Sequence, residues 1–204
     1  MMPENMDIRY SDRIISFNEK RITLLDRFVL DFLRVLEPRT PYVIVSGYVA
    51  ILFGRSRGTE DVDILIPRLE EDTFTGLHNA LICEGYEFLN AEEVDGLYDM
   101  LSQKMGIRVA KTDQIIPNIE LKFLKDDIDQ SVFQNRVEVV LPDAHMFISP
   151  LEIQIAYKIY LGSPKDIEDA LFLHEIFKEH LDMSHLKEQM KVFHVSGENY
   201  GIIL

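Results

Sequence analysis

Apolar residues recur at helical spacing over residues 18–36, where Ile22, Leu24, Leu25, Phe28, Val29, Phe32, Leu33 and Leu36 fall on one stripe. Pro38 and Pro41 end that helix and open the next unit. Residues 42–45 then form an apolar run of strand length, 47–54 a short helix, and 62–66 a second apolar strand closed by Pro67. A helix is predicted over 70–83, its acidic first turn matched to the positive end of the helix dipole. Beyond Gly85 the pattern predicts a strand at 86–89, a helix at 91–103, strands at 107–110 and 119–124, and a short helix at 126–134. Strands follow at 137–141 and 146–148, and from Pro150 the period stays helical over 150–161, 164–179 and 184–193. There is no internal repeat. The expected fold class is therefore α/β (α+β), with a mixed core over 1–148 and a helical segment over 149–204 packed on it.

Composition narrows the partners. The chain has 204 residues, enough to bury a proper core, and its formal net charge of −14 opposes broad binding to nucleic acid or to an anionic membrane. A compact basic patch around a phosphate ligand is still compatible with that charge. Cys83 is the single cysteine, so no intrachain disulfide forms and a reducing cytoplasm is the expected setting. Met1–Asp7 lacks the apolar core of a signal peptide, and no run reaches membrane-spanning length. The tail ends in Ile202-Ile203-Leu204, suited either to docking on the body or to self-association as a homodimer.

The candidate chemistry lies in one segment. An apolar strand delivers the small corner Ser46-Gly47, a short helix follows, and Arg57-Gly58-Thr59-Glu60 leads into Asp61-Val62-Asp63 on a second strand. Side chains alternate across a strand, so Asp61 and Asp63 share a face and repel unless a cation sits between them. A divalent metal would satisfy them, Mg2+ above all, because it favours carboxylate oxygens and brings phosphates with it. Pairing with Arg55 or Arg57, or capping of a turn, would satisfy them equally. Phosphoryl and nucleotidyl transfer use about three carboxylates around the metals. The third should come from a neighbouring strand, and Glu120 fits as the acid at a polar position of Asn118-Ile119-Glu120-Leu121-Lys122-Phe123. A corner of small residues lets backbone N–H groups approach phosphate closely.

The stretch from Val43 to Ile66 resembles the nucleotidyltransferase superfamily that includes DNA polymerase beta, and within it the AbiEii-like branch associated with toxin–antitoxin and phage-defence systems. That branch runs a strand into Gly-Gly or Gly-Ser, then a short helix, then Arg-x-Thr-x-Asp-x-Asp. This chain has Ser46-Gly47 and then Arg57-Gly58-Thr59-Glu60-Asp61-Val62-Asp63. A later Lys-containing helix followed by Lys/Arg-Asp-x-x-Asp is similar to Lys158 and Lys165-Asp166-Ile167-Glu168-Asp169. The order and approximate spacing agree over roughly residues 40–178. The resemblance implies a small mixed sheet flanked by helices and transfer of an NMP from an NTP to an acceptor hydroxyl on a protein, an RNA or a small molecule. Mg2+ or Mn2+ would be held by Asp61, Asp63 and Glu120, with Glu120 as third ligand or general base. Ser46, Gly47, Arg57 and Thr59 would border the nucleotide, and Lys158 and Lys165 would reach its triphosphate while Asp166 and Asp169 orient them. Two departures favour an alternative, an interaction protein that keeps the fold as one half of a toxin–antitoxin pair. The corner is reversed to Ser-Gly, and Glu120 stands where Asp is commoner, its extra methylene moving the carboxylate.

Read without the resemblance, Lys165 and Asp169 are an i,i+4 pair on a solvated helix face. The six histidines make no metal array, since 174–180 lacks the i,i+4 His pair of a zinc helix. Gly54-Arg55-Ser56-Arg57-Gly58 lacks the Gly-Lys-Ser/Thr ending of a P-loop and reads as a turn.

Overall fold

The computed structural model describes residues 8–17, 19–91 and 93–202. Met1–Asp7, Asn18 and the apolar pair Ile203-Leu204 lie outside the described residues.

Two short strands precede the first predicted helix. β1 (Ile8–Ser11) and β2 (Ile14–Phe17) form an antiparallel hairpin that alternation over four residues was too brief to announce. The helix α1 (Leu24–Leu36) starts later than residue 18 because Thr23 caps it. The Thr23 side chain accepts from the Asp26 N–H, and the Asp26 carboxylate accepts from the Thr23 N–H, a reciprocal capping box. Asp26 is 1% exposed and also receives Lys20 and the Tyr48 hydroxyl.

The remaining elements follow the predicted order. They are β3 (Val43–Val45), α2 (Gly47–Leu52), β4 (Asp61–Ile66), α3 (Glu71–Cys83), β5 (Tyr86–Phe88), α4 (Val94–Ser102), β6 (Ile107–Lys111), β7 (Asn118–Phe123), α5 (Asp127–Gln134), β8 (Val137–Leu141) and β9 (Ala144–Ile148). The C-terminal helices are α6 (Leu151–Leu161), α7 (Pro164–Phe177) and α8 (Met183–Val192). Ser163 caps α7 with Pro164 in its first turn, as suits a proline with no N–H to lose.

Among the described residues the strands join in one mixed sheet of nine, in the order β1-β2-β8-β9-β3-β4-β7-β6-β5. Three neighbouring pairs are parallel, namely β2 with β8, β3 with β9, and β4 with β7. Val62, Ile64, Ile119 and Leu121 are fully buried, which fixes which face of β4 and β7 carries the intervening acids. Helix α6 is buried along most of its length, with even Gln154 and Lys158 under 5% exposed, so the C-terminal segment packs tightly beside the corner after β3. In the tail, Ile202 is buried and packs where a Gly197 side chain would stand, so its described part docks on the body.

Candidate functional site

The corner after β3 is strained and clamped. Ser46 has φ 66° and ψ −138°, a conformation that costs a non-glycine residue about 1–3 kcal/mol. Buried Gln154 compensates from α6: its Nε2 donates to the Ser46 carbonyl at 2.6 Å, and its Oε1 accepts from the Ser46 N–H at 3.3 Å and the Ser149 hydroxyl at 2.8 Å. One amide side chain thus holds both backbone polar groups of Ser46. Gly47 follows because Arg57 lies against it, and a Cβ there would stand 2.8 Å from Arg57 Nη2.

The acids come together through the sheet. Val45 pairs with Asp63 across β3 and β4, and Asp63 pairs with Glu120 across the parallel β4 and β7. Asp61, Asp63 and Glu120 therefore lie on one face, a wall beside the Ser46-Gly47 corner. Lys122, two residues beyond Glu120 on that face, donates to Asp63 Oδ1 and to Glu120 Oε2, both at 2.8 Å. Burial alone would lower the Lys122 pKa, but the Asp63 charge and hydrogen bonds to both acids outweigh it and hold the ammonium above its ordinary value. Gly106, just before β6, leaves the space these side chains use, since a Cβ there would lie 2.8 Å from Glu120 Oε1 and 3.0 Å from Lys122 Cε. Thr59 donates to the Asp61 carbonyl at 2.8 Å and shapes the turn into β4.

A basic floor lies opposite. Asp169, fully buried on α7, receives Arg55, Arg57 at Nη1, and Lys158 Nζ at 2.7 Å. Arg55 also pairs with Glu168, and Lys158 donates to Asp166 Oδ1 at 3.0 Å. Burial would raise the Asp166 pKa, yet the Ser163 hydroxyl, Lys158 and Lys165 hold it below the usual carboxylate range. An open basin of about 800 Å³ lies between wall and floor, bordered by Ser46, Gly47, Arg55, Arg57, Thr59, Asp61, Asp63, Lys165 and Asp166. A smaller cavity of about 230 Å³ adjoins it on the far side of Asp63, where Lys122, Lys125, Asp126 and Asp129 meet apolar groups such as Ile153 and Tyr157.

Most of the residues singled out in the sequence border the basin; Glu120 stands behind it, between Asp63 and Gly106, and Lys158 does not reach it. It is 1% exposed and spent on Asp166 and Asp169, so it supports the floor rather than reaching a ligand. Asp169 likewise lies beneath the basin and faces Arg55, Arg57 and Lys158 instead of forming the expected pair with Lys165. Arg55 and Arg57 turn to α7 and leave Asp63 and Glu120 to Lys122. Sequence reasoning passed over Arg55 as a site residue, and Lys122, Gly106 and Gln154 altogether. For Lys122 a signal existed, a cation two positions from Glu120 on the same strand face.

The donor set suits a hard divalent cation, since such ions take carboxylate oxygens. The Lys122 ammonium between Asp63 and Glu120 marks where positive charge is already accepted. Among the described residues, no three acids converge closely enough to enclose an ion, so protein ligands would fill only part of its shell, as is common for Mg2+.

No family model and no curated protein matches this sequence. Solved structures do match. The antibiotic-resistance factor ANT(2″)-Ia, whose solution structure reveals substrate-regulated conformation dynamics, is similar with a TM-score of 0.55 over 89% of this chain and 95% of that one, at 13% identity. Two further similar structures are JHP933 from Helicobacter pylori (TM-score 0.48, 19% identity, 83% of this chain and 71% of that one) and the nucleotidyltransferase toxin MenT4 from Mycobacterium tuberculosis H37Rv (TM-score 0.45, 15% identity, 82% and 62%). At these identities the first likeness shows the fold alone, an α+β architecture shared with that resistance factor.

Proposed function

We propose that this chain, built on the nucleotidyltransferase fold, moves an NMP from an NTP to an acceptor hydroxyl in a reaction dependent on Mg2+ or Mn2+. The observation that carries this reading is that Asp61 and Asp63 border a basin also lined by Arg55, Arg57 and Lys165, with Glu120 paired beside Asp63 on the adjacent strand. Anionic phosphates fit the cationic side. Backbone at Ser46 and Gly47, held by Gln154, borders them, and fixed Arg57 limits the reorganisation needed on binding.

Carboxylates drawn from Asp61, Asp63 and Glu120 would supply part of the metal's shell, and the metal when bound supplies charge neutralisation for the triphosphate and alignment of the attacking oxygen. In the transfer, the acceptor oxygen forms a bond to the α-phosphorus and the bond to the bridging oxygen of the β-phosphate breaks. The acceptor proton goes to Glu120, and pyrophosphate leaves. Arg55, Arg57 and Lys165, which border the basin, would stabilise the charge on that leaving group. The acceptor is a protein, an RNA or a small molecule, and the −14 net charge disfavours a long RNA track.

Purified protein with Mn2+ and each labelled NTP should bind nucleotide and release pyrophosphate when an acceptor extract is supplied. The double change Asp61→Asn with Asp63→Asn should lower turnover by at least about 10²-fold. Failure of the wild-type protein to bind any NTP with either metal sinks the enzymatic reading. One observation favours a second reading, a fold-retaining interaction protein of the toxin–antitoxin kind: Lys122 already bridges two of the three acids. An unchanged cellular phenotype in that double variant would support it.

A further inference from the structure

Lys122 and a divalent cation need the same oxygens. The ammonium lies 2.8 Å from Asp63 Oδ1 and 2.8 Å from Glu120 Oε2, the two acids that the ladder places side by side. A metal ligated by both carboxylates takes up the space and the charge that Nζ holds. Lys158 and Lys122, the two lysines that each bridge a pair of acids, differ in their freedom to yield. Lys158 is 1% exposed and enclosed by Asp166, Asp169 and two arginines, whereas the Lys122 side chain is 32% exposed. The Lys122 stem is four flexible carbons beside Gly106, which has no side chain to block it. Lys122 also lines the smaller cavity, together with Asp126 and Asp129.

We propose that Lys122 is a resident counter-cation that bridges Asp63 and Glu120 in the metal-free protein and withdraws into the adjoining cavity, toward Asp126 and Asp129, when a divalent cation binds. The inference rests on the nucleotidyltransferase reading, because it needs a metal on that wall. It assigns Lys122 a positioning role with two consequences. The bridge keeps two neighbouring carboxylates from repelling each other before the metal arrives. Metal binding must also displace it, so the apparent affinity is reduced by the fraction of molecules in which the bridge is closed.

The test is Mn2+ binding, read from the loss of the free-ion EPR signal, on wild type, Lys122→Met and Lys125→Met. Lys125 lines the same cavity but makes no ion pair with the wall, so it controls for the loss of one positive charge. Lys122→Met should bind Mn2+ roughly tenfold more tightly than wild type. Its metal-free Tm should fall and rise further on adding Mn2+ than that of wild type, while Lys125→Met follows wild type. A second measurement needs no variant. Acetylation of Lys122 by an N-hydroxysuccinimide ester, followed by mass spectrometry, should rise several-fold when Mg2+ is added to wild-type protein, because the amine loses both carboxylate partners.

Equal or weaker Mn2+ binding by Lys122→Met, with measurable binding by wild type, overturns the role of Lys122 and leaves the nucleotidyltransferase reading standing. Tightening of the same size in Lys125→Met overturns it too, as does Lys122 acetylation that ignores Mg2+ while wild type binds the ion. Absence of Mn2+ binding in wild type and in Lys122→Met removes the metal-dependent function, and this inference with it.

Discussion

The two sides of the basin are both built from ion pairs, and they differ in burial and therefore in what they can do. On the floor, Asp169 is fully buried and collects three cations, Arg55, Arg57 and Lys158. On the wall, Lys122 bridges Asp63 and Glu120 with all three side chains partly open to solvent. A buried pair loses far more when one partner goes than it contributed when formed, because the remaining charges are stranded. A partly solvated pair can exchange its cation, since water meets the displaced group. The floor is thus suited to hold a fixed geometry and the wall to trade one positive charge for another.

The largest test of this contrast is Asp169→Ala. It strands Lys158 and the two arginines, and should cost about 3–5 kcal/mol in urea unfolding, together with a loss of nucleotide affinity. A loss under about 1 kcal/mol would mean that the floor is as yielding as the wall. The two glycines probe the sides with smaller effect. Gly47→Ala pushes on Arg57, and Gly106→Ala pushes on Glu120 and Lys122, each at an expected cost of about 1–3 kcal/mol. Gly47→Ala should weaken NTP binding with Mn2+ binding retained, and Gly106→Ala should change Mn2+ binding first. A reversed pattern would break the division of labour.

The smallest effect is with pH. Asp26 would be raised by burial, but Lys20, the Thr23 N–H and the Tyr48 hydroxyl hold it below the ordinary range, and Asp166 is held low as well. A carboxylate with a depressed folded pKa stabilises the protein above its unfolded pKa, and that contribution is lost as pH falls through the folded value. Urea unfolding measured from about pH 5 downward should show falling stability. Asp166→Asn should lower stability at neutral pH and flatten the decline. His145 runs the other way. Hydrogen bonding to Glu138, with Glu37 nearby, raises its pKa, so its contribution is present at low pH and fades as pH rises through the folded value.

Much of this arrangement is legible along the chain. The period-2 run over β4 and the helical period over α7 are local signals, and they put Asp61 with Asp63 on one strand face and Lys165 with Asp169 on one helix face. The hairpin of β1 and β2 escaped notice because each strand has only four residues, and β2 finds its place by pairing with β8 far along the chain. Lys158 shows a related limit. Its place in the motif was visible, but whether its side chain meets solvent depends on how α6 packs against α7.

The sequence by itself determined the strand-corner-helix-strand order, the shared face of Asp61 and Asp63, and the candidacy of Glu120, because alternation and helical period are set by neighbours a few residues apart. Only the tertiary structure decided that Glu120 stands in register beside Asp63, that Gln154 clamps Ser46, that Asp169 holds the arginines, and that Lys122 bridges the acids. Apart from Glu120 and Lys122, two apart on one strand, these partners lie far apart in sequence. Their meeting depends on strand register and helix packing, which are set when the whole apolar core closes.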